Sequence, residues 1–247
     1  MKNPKGKETL IAGKRYDTTK YKRRIEKDLV VGISFVGDSI TSAEWVHPNY
    51  RDIVEYVLKD RFHNSWNIQV FNNGFDGSTS QDILKRVDDY ILPLRPNIVI
   101  YEIGVNDGAF QVTVETFEDN ILLILNKLKT VADYVYFVTA PLSLSDKINK
   151  RYKPYLNIIK KLGVDSEIPV SNLNRYFKYL NLGEIYTFMS EDNPVEGLRK
   201  GQLDPEHPNI LGNAYIAKYL LQDIWGIDFD VKKYMESLRS GLKYPQY

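Results

Sequence analysis

Ile33-Ser34-Phe35-Val36-Gly37-Asp38-Ser39-Ile40-Thr41 is the stretch whose reading decides the fold. It closes a run of apolar and β-branched residues that starts at Leu29, and such a run predicts a buried strand. The run breaks at Gly37 and delivers Asp38 and Ser39 to the strand's carboxyl end. Pro48 and an amphipathic segment follow, with Ile53, Tyr56, Val57 and Phe62 spaced for one face of a helix over Asn49 to Phe62. In an open α/β sheet, ligands bind beyond the carboxyl ends of the strands, so Ser39 stands where a nucleophile would stand. Gly-Asp-Ser is also ordinary turn composition, and the weight of the reading rests on the remainder of the chain.

Outward from that strand the pattern repeats. Asn67 to Phe71 reads as a second strand, stopped by the turn formers Asn72-Asn73-Gly74-Phe75-Asp76-Gly77. Ser78 or Thr79 is placed to cap a helix through about Tyr90. Ile98 to Ile103, almost without polar interruption, reads as a central parallel strand and ends at Gly104-Val105-Asn106-Asp107-Gly108. A helix over Thr116 to Thr130, a strand over Tyr134 to Thr139, a helix over Lys147 to Leu162 and a short strand over Ile168 to Val170 follow. Arg175 to Leu180 reads as helical, Asn181 to Leu203 as a long loop, and Asn209 to Asp223 as the last helix. Alternating strands and helices predict parallel βαβ units in a three-layer α/β/α sandwich with a mainly parallel five-stranded sheet. No internal repeat or linker interrupts residues 28–247, which are read as one domain behind a basic lead-in over 1–27.

Composition narrows the function classes. Of the 247 residues, 43% are hydrophobic and 26% charged, as in ordinary globular proteins. The longest apolar runs, Ile121 to Leu125 and Tyr134 to Val138, fall far short of the ~18 residues of a membrane span. There is no cysteine, which excludes disulfides and thiol catalysis. Met1 to Lys27 holds ten Lys/Arg against three Asp/Glu and no apolar core of a secretory signal, so a cytoplasmic protein is expected. The lead-in lacks a long Lys/Arg block, so no nucleic-acid partner is expected. No His-Glu-x-x-His, Gly-x-Gly-x-x-Gly or Gly-Lys-Ser/Thr motif occurs, so no metal and no nucleotide cofactor is expected. The absence of Gly-x-Ser-x-Gly argues against the α/β-hydrolase fold.

The expected strand ends carry Ser39, Gly77 and Asn106, and Asp204-Pro205-Glu206-His207-Pro208 precedes the last helix. In a doubly wound sheet these share one rim. A serine hydroxyl needs a general base, usually histidine, and the base needs a carboxylate on its other ring nitrogen. Asp204, three residues before His207, is spaced for that contact. The backbone N–H groups of Ser39 and Gly77 and the Asn106 side-chain amide are candidate donors to a tetrahedral oxyanion. Gly74 is the nearest rival to Gly77. His47, Asp38 and Asp107 are candidate pocket residues, Asp107 reading also as a cap or brace of its loop, while His63 reads as a helix C-terminal cap.

This set resembles the SGNH hydrolases, the GDSL-type serine esterases and lipases, over roughly residues 30–224. Gly37-Asp38-Ser39-Ile40 is similar to that family's nucleophile block, Phe75 to Ser80 to its second block, and Gly104-Val105-Asn106-Asp107 to its Gly-x-Asn-Asp block. Asp204-x-x-His207, followed by Pro208-Asn209 and Gly212, is similar to its last block; Pro205-Glu206 departs from the usual glycine and apolar residue. The resemblance implies a flavodoxin-like SGNH hydrolase fold. It also implies a serine esterase acting on small or carbohydrate-linked acyl esters through Ser39, His207 and Asp204. Lysophospholipase, thioesterase or acyltransferase chemistry on the same site is the alternative, as is an inactive binding module of the same fold.

Overall fold

In the computed structural model, which describes residues 23–24, 27, 29–42, 44–62, 66–190 and 198–247, five strands form one sheet. They are β1 (Val31–Gly37), β2 (Ile68–Gly74), β3 (Ile98–Glu102), β4 (Tyr134–Val138) and β5 (Val170–Ser171). All pair in parallel, in the order β2-β1-β3-β4-β5, which is the flavodoxin-like doubly wound order. β1 and β3 are buried along their whole lengths, which is why they read as continuous apolar runs rather than alternating ones.

Among the described residues the α-helices are α1 (Tyr50–Arg61), α2 (Ser80–Arg86), α3 (Val105–Ala109), α4 (Val114–Leu128), α5 (Asp146–Asp165), α6 (Leu173–Phe177), α7 (Leu182–Ile185), α8 (Ile210–Leu220) and α9 (Val231–Arg239), with π-helical turns continuing α2 over Val87–Ile91 and α8 over Leu221–Trp225. On one side of the sheet α8 packs against both α1 and α9; on the other α4 packs against both α2 and α5. Capping side chains set several starts. Asn49 and Thr79 each form a capping box, with Asp52 and Asp82, and Asn209 caps α8. Thr79, not Ser78, is therefore the cap of α2. Pro154 lies inside α5 without ending it.

Two segments differ from the sequence reading. The chain beyond Asp223 forms α9, which Asp230 caps and which buries Val231, Tyr234 and Met235. The segment read as a loop over 181–203 contains α7 and an antiparallel bridge between Met189 and Leu203, its residues 191–197 lying outside those described. Most of the basic lead-in, and His63, also lie outside the described residues.

Register fixes which residues share the rim. Gly37 pairs with Gly74, and Val36 with Tyr101, so the carboxyl ends of β2, β1 and β3 lie side by side. Gly74 has no room for a Cβ, because the backbone of Thr41 and Ser42 presses against it. That close approach is why the turn after β1 folds onto the end of β2.

Candidate active site

The turn after β1 is built by Asp38. Its carboxylate accepts from the N–H of Ile40 at 3.0 Å, and its carbonyl accepts from the N–H groups of Thr41 and Ser42. Asn49 then fastens this turn to the start of α1, its amide donating to the carbonyls of Ile40 and Ser42 at 3.1 and 2.8 Å. Ser39 sits half-exposed at the crest of the turn.

The segment Asp204 to Pro208 reaches Ser39 from the far end of the chain. His207 Nε2 lies 2.8 Å from Ser39 Oγ, and His207 Nδ1 lies 2.6 Å from Asp204 Oδ2. The other Asp204 oxygen accepts from the N–H groups of Glu206 and His207 at 2.8 and 3.1 Å. The four-residue turn is thus closed by the carboxylate that also orients the imidazole. The departure at Pro205 is accommodated, since its carbonyl accepts from Ser143 Oγ and Leu144 N. Asn213 ties this segment to the nucleophile's side: its amide nitrogen donates to the carbonyls of Pro208 and Asn209, and its oxygen accepts from Tyr50 N. The former loop contributes as well, with Phe188 O accepting from Asp204 N and Ile185 O from Asn209 N.

The electrostatics follow from burial. Both His207 and Asp204 are almost fully covered, at 3% and 1% exposure. Burial pulls the imidazolium down, but the bond to Asp204 and the fields of Asp204, Glu206 and Asp38 outweigh it, leaving His207 above the usual histidine value. Burial raises Asp204 too, yet the His207 bond and the two backbone donors hold it below the usual carboxylate value. Burial pushes Glu206 up to about 7.

The neighbouring ends supply donors. Neither the backbone N–H of Ser39 nor that of Gly77 donates to any group among the described residues. Gly77 has φ +66° and a Cβ there would meet open space, so its glycine serves the left-handed backbone rather than clearance. Asn106 Nδ2 donates to Ser78 O at 3.1 Å and, at the long limit of a hydrogen bond, to Asp38 Oδ2 at 3.4 Å.

Each of the three candidate pocket residues has partners of its own. Asp107 is fully buried and accepts from the N–H and hydroxyl of Ser80, so it joins the third block to the start of α2. Asp38 is buried beneath the turn, where burial raises its carboxyl to about 6. The His47 side chain is 78% exposed and pairs with Asp52 at 3.0 Å.

Two residues near this site were missed. Glu102, at the end of β3, is buried; burial first, then the field of Asp38, drives its carboxyl well above the usual range. The signal was a charge in an otherwise apolar strand. Trp45 stacks on His207, and no motif in the sequence marks it.

A doubly wound sheet with serine, imidazole and carboxylate in hydrogen-bonding series at its carboxyl rim defines a class of ester-cleaving enzymes. Over residues 35–215 the chain matches the model of the GDSL-like Lipase/Acylhydrolase family. It belongs to that family, the SGNH hydrolases, and is a carboxylic ester hydrolase. No curated protein sequence matches it significantly. Among solved structures it is similar to Axe2, an acetylxylan esterase from Geobacillus stearothermophilus, with TM-score 0.64, 18% identity, and 82% of this chain and 96% of that one covered. It is similar also to LAE5, an alpha/beta hydrolase enzyme from the metagenome of Lake Arreo, Spain, with TM-score 0.65, 18% identity, and 81% and 98% covered. Structures described as catalytic mutants of Axe2 carry alanine for a serine, an aspartate and a histidine, the last two three residues apart.

Proposed function

We propose that the chain hydrolyses short acyl esters of carbohydrates or other small alcohols through Ser39, His207 and Asp204, by way of an acyl-enzyme. The observation that carries this reading is the series Ser39 Oγ, His207 Nε2, His207 Nδ1, Asp204 Oδ2, with separations of 2.8 and 2.6 Å. Ser39 Oγ attacks the ester carbonyl while His207 Nε2 takes its proton. Asp204 holds the tautomer that leaves Nε2 free to accept, and stabilises the imidazolium that forms. The oxyanion is received by the N–H groups of Ser39 and Gly77 and by the Asn106 hydrogen that otherwise makes the long bond to Asp38. His207 returns the proton to the departing alcohol. Water, deprotonated by the same imidazole, then attacks the acyl-enzyme and releases the acid.

The Asp204–His207 spacing is that of the aspartate and histidine altered in the Axe2 catalytic mutants, which supports the assignment of both residues. That neighbour's name also supports acetylated sugars as the substrate class. The test is a panel of p-nitrophenyl acetate, butyrate and octanoate run beside acetylated xylo-oligosaccharides, an acyl thioester and a lysophospholipid. The proposal expects turnover of acetate esters with release of free acetate, abolished in Ser39→Ala. Turnover confined to the thioester or the lysophospholipid would overturn it.

A further inference from the structure

The loop that leaves the nucleophile turn carries one side chain to which the chemistry above gives no part. The Trp45 indole lies flat on the His207 imidazole, with ring centroids 3.8 Å apart and planes 5° from parallel. Neutral aromatic pairs prefer offset or edge-on arrangements, whereas a cation is drawn to the face of an indole. The Trp45 Nε1 is buried without an acceptor among the described residues, so no hydrogen bond to any of them dictates where the ring sits.

His207 itself is held by bonds in its own plane, one at each nitrogen. Those bonds fix the two nitrogens but leave the ring free to tilt about the line joining them. A flat partner on one face removes that freedom. We propose that Trp45 is a positioning residue: its indole holds the plane of His207 so that Nε2 stays on Ser39, and its π face stabilises the imidazolium formed in each half of the reaction. The proposal rests on the serine-esterase reading. The charged groups facing His207 are Asp204 and Glu206 from its own segment and Asp38 from the end of β1, with Arg151 of α5 acting on Glu206. Trp45 adds no charge to that set, so its effect on the imidazole is separable from theirs.

The experiment titrates the side-chain nitrogens of the chain's three histidines by NMR in the parent, Trp45→Leu and Trp45→Phe, with kcat and KM for p-nitrophenyl acetate measured alongside. Leucine keeps apolar bulk without a π face. In Trp45→Leu the His207 pKa is expected to fall by about 0.4–0.7 unit while the other two histidines stay put. Its kcat is expected to drop about 10-fold with KM within about 2-fold, because a tilted base loses alignment rather than binding. Trp45→Phe should recover most of both. An unchanged His207 pKa in Trp45→Leu, a loss seen in KM alone, or a phenylalanine variant as impaired as the leucine one would overturn the proposal. Should the leucine variant not fold, Trp45→Phe decides alone: its weaker π face predicts a smaller fall of the same sign, and no fall overturns the proposal. A parent without esterase activity would refute the functional reading, while the titration would still report on the stack.

Discussion

Replacing Asp204 by asparagine removes one charge and almost no volume, and the structure fixes what the new amide does. Asp204 Oδ1 accepts from two backbone N–H groups, Glu206 at 2.8 Å and His207 at 3.1 Å. An asparagine must keep its oxygen on those donors, because the flipped amide would set NH₂ against both and leave two buried donors unpaired, at ~1–3 kcal/mol each. Its NH₂ therefore faces His207 Nδ1, where the carboxylate now stands at 2.6 Å. An imidazole that accepts at Nδ1 carries its proton on Nε2, the nitrogen 2.8 Å from Ser39 Oγ. That nitrogen then donates to the serine and cannot take its proton. The expected loss is about 10³–10⁴ in kcat, or ~4–5.5 kcal/mol, the size seen when other Ser-His-Asp triads are locked in the wrong tautomer.

The pH profile carries a second signature of the same substitution. His207 is raised above the ordinary value of 6.5, chiefly by Asp204 acting against burial. The base works only when neutral, so parental kcat/KM should rise with pH through a midpoint above 6.5. In Asp204→Asn that midpoint should move down, since the imidazole stays buried and the carboxylate that opposed burial is gone. Stability follows the same linkage. The raised His207 contributes stability that is full below 6.5 and fades as pH rises through its folded value. The lowered Asp204 contributes above 3.8 and is lost as pH falls through its own folded value. The melting deficit of the variant should thus be widest between those two values and narrow toward alkaline pH. Steady-state kinetics on p-nitrophenyl acetate with parallel thermal melts reads all of this. A variant within ten-fold of the parent in kcat, with an unmoved acid limb, would refute the reasoning.

Two further substitutions probe the donors and the acid pair. Asn106→Asp sets a carboxylate against the Ser78 carbonyl and Asp38, where the amide now donates at 3.1 and 3.4 Å, so both kcat and melting temperature should fall, kcat by about 10²–10³ with KM little changed. Asn106→Ala should lose kcat similarly and melt closer to the parent; an Asn106→Asp enzyme hydrolysing ester at the parental rate would remove Asn106 from the mechanism. Glu102→Gln replaces a buried acid, raised by burial and by Asp38, with a neutral amide. Groups raised in this way favour folding at low pH and lose that benefit as pH rises, for Asp38 through about 6. The variant should therefore melt above the parent at alkaline pH, by at least about 2–4 °C, and the gap should shrink on acidification. Melts that differ equally at every pH would contradict it.

Much of the rim was legible because parallel strands announce themselves. β1 and β3 are buried on both faces and read as unbroken apolar runs, and Ser39, Gly77 and Asn106 stand just past strand ends that the alternation had located. Asp204 and His207 were legible by spacing, since a contact three residues apart needs only a turn. What stayed hidden depends on neighbours distant in sequence. The Trp45–His207 stack and the Asp38–Glu102 interaction each join loops or strands that only the fold brings together. Asp107 reads both as a candidate pocket residue and as a brace of its loop; its carboxylate accepts from Ser80, 27 residues away, a partner that spacing alone does not mark. His47 is a candidate by its place on the loop after Ser39, and its side chain pairs with Asp52 of the α1 capping box. The helix α9 was missed although Val231, Tyr234, Met235 and Leu238 recur at helical spacing, because charged residues fill the positions between them.

The central claim is that Ser39 is a nucleophile activated by His207, and covalent capture tests it most directly. A fluorophosphonate probe loses fluoride as serine oxygen bonds to phosphorus, leaving an adduct that peptide mass spectrometry places on one residue. The prediction is a single adduct on the peptide holding Ser39, formed rapidly in the parent, absent from Ser39→Ala and at least about 10²-fold slower in His207→Ala. An adduct on another residue, or labelling that persists in Ser39→Ala, would contradict it.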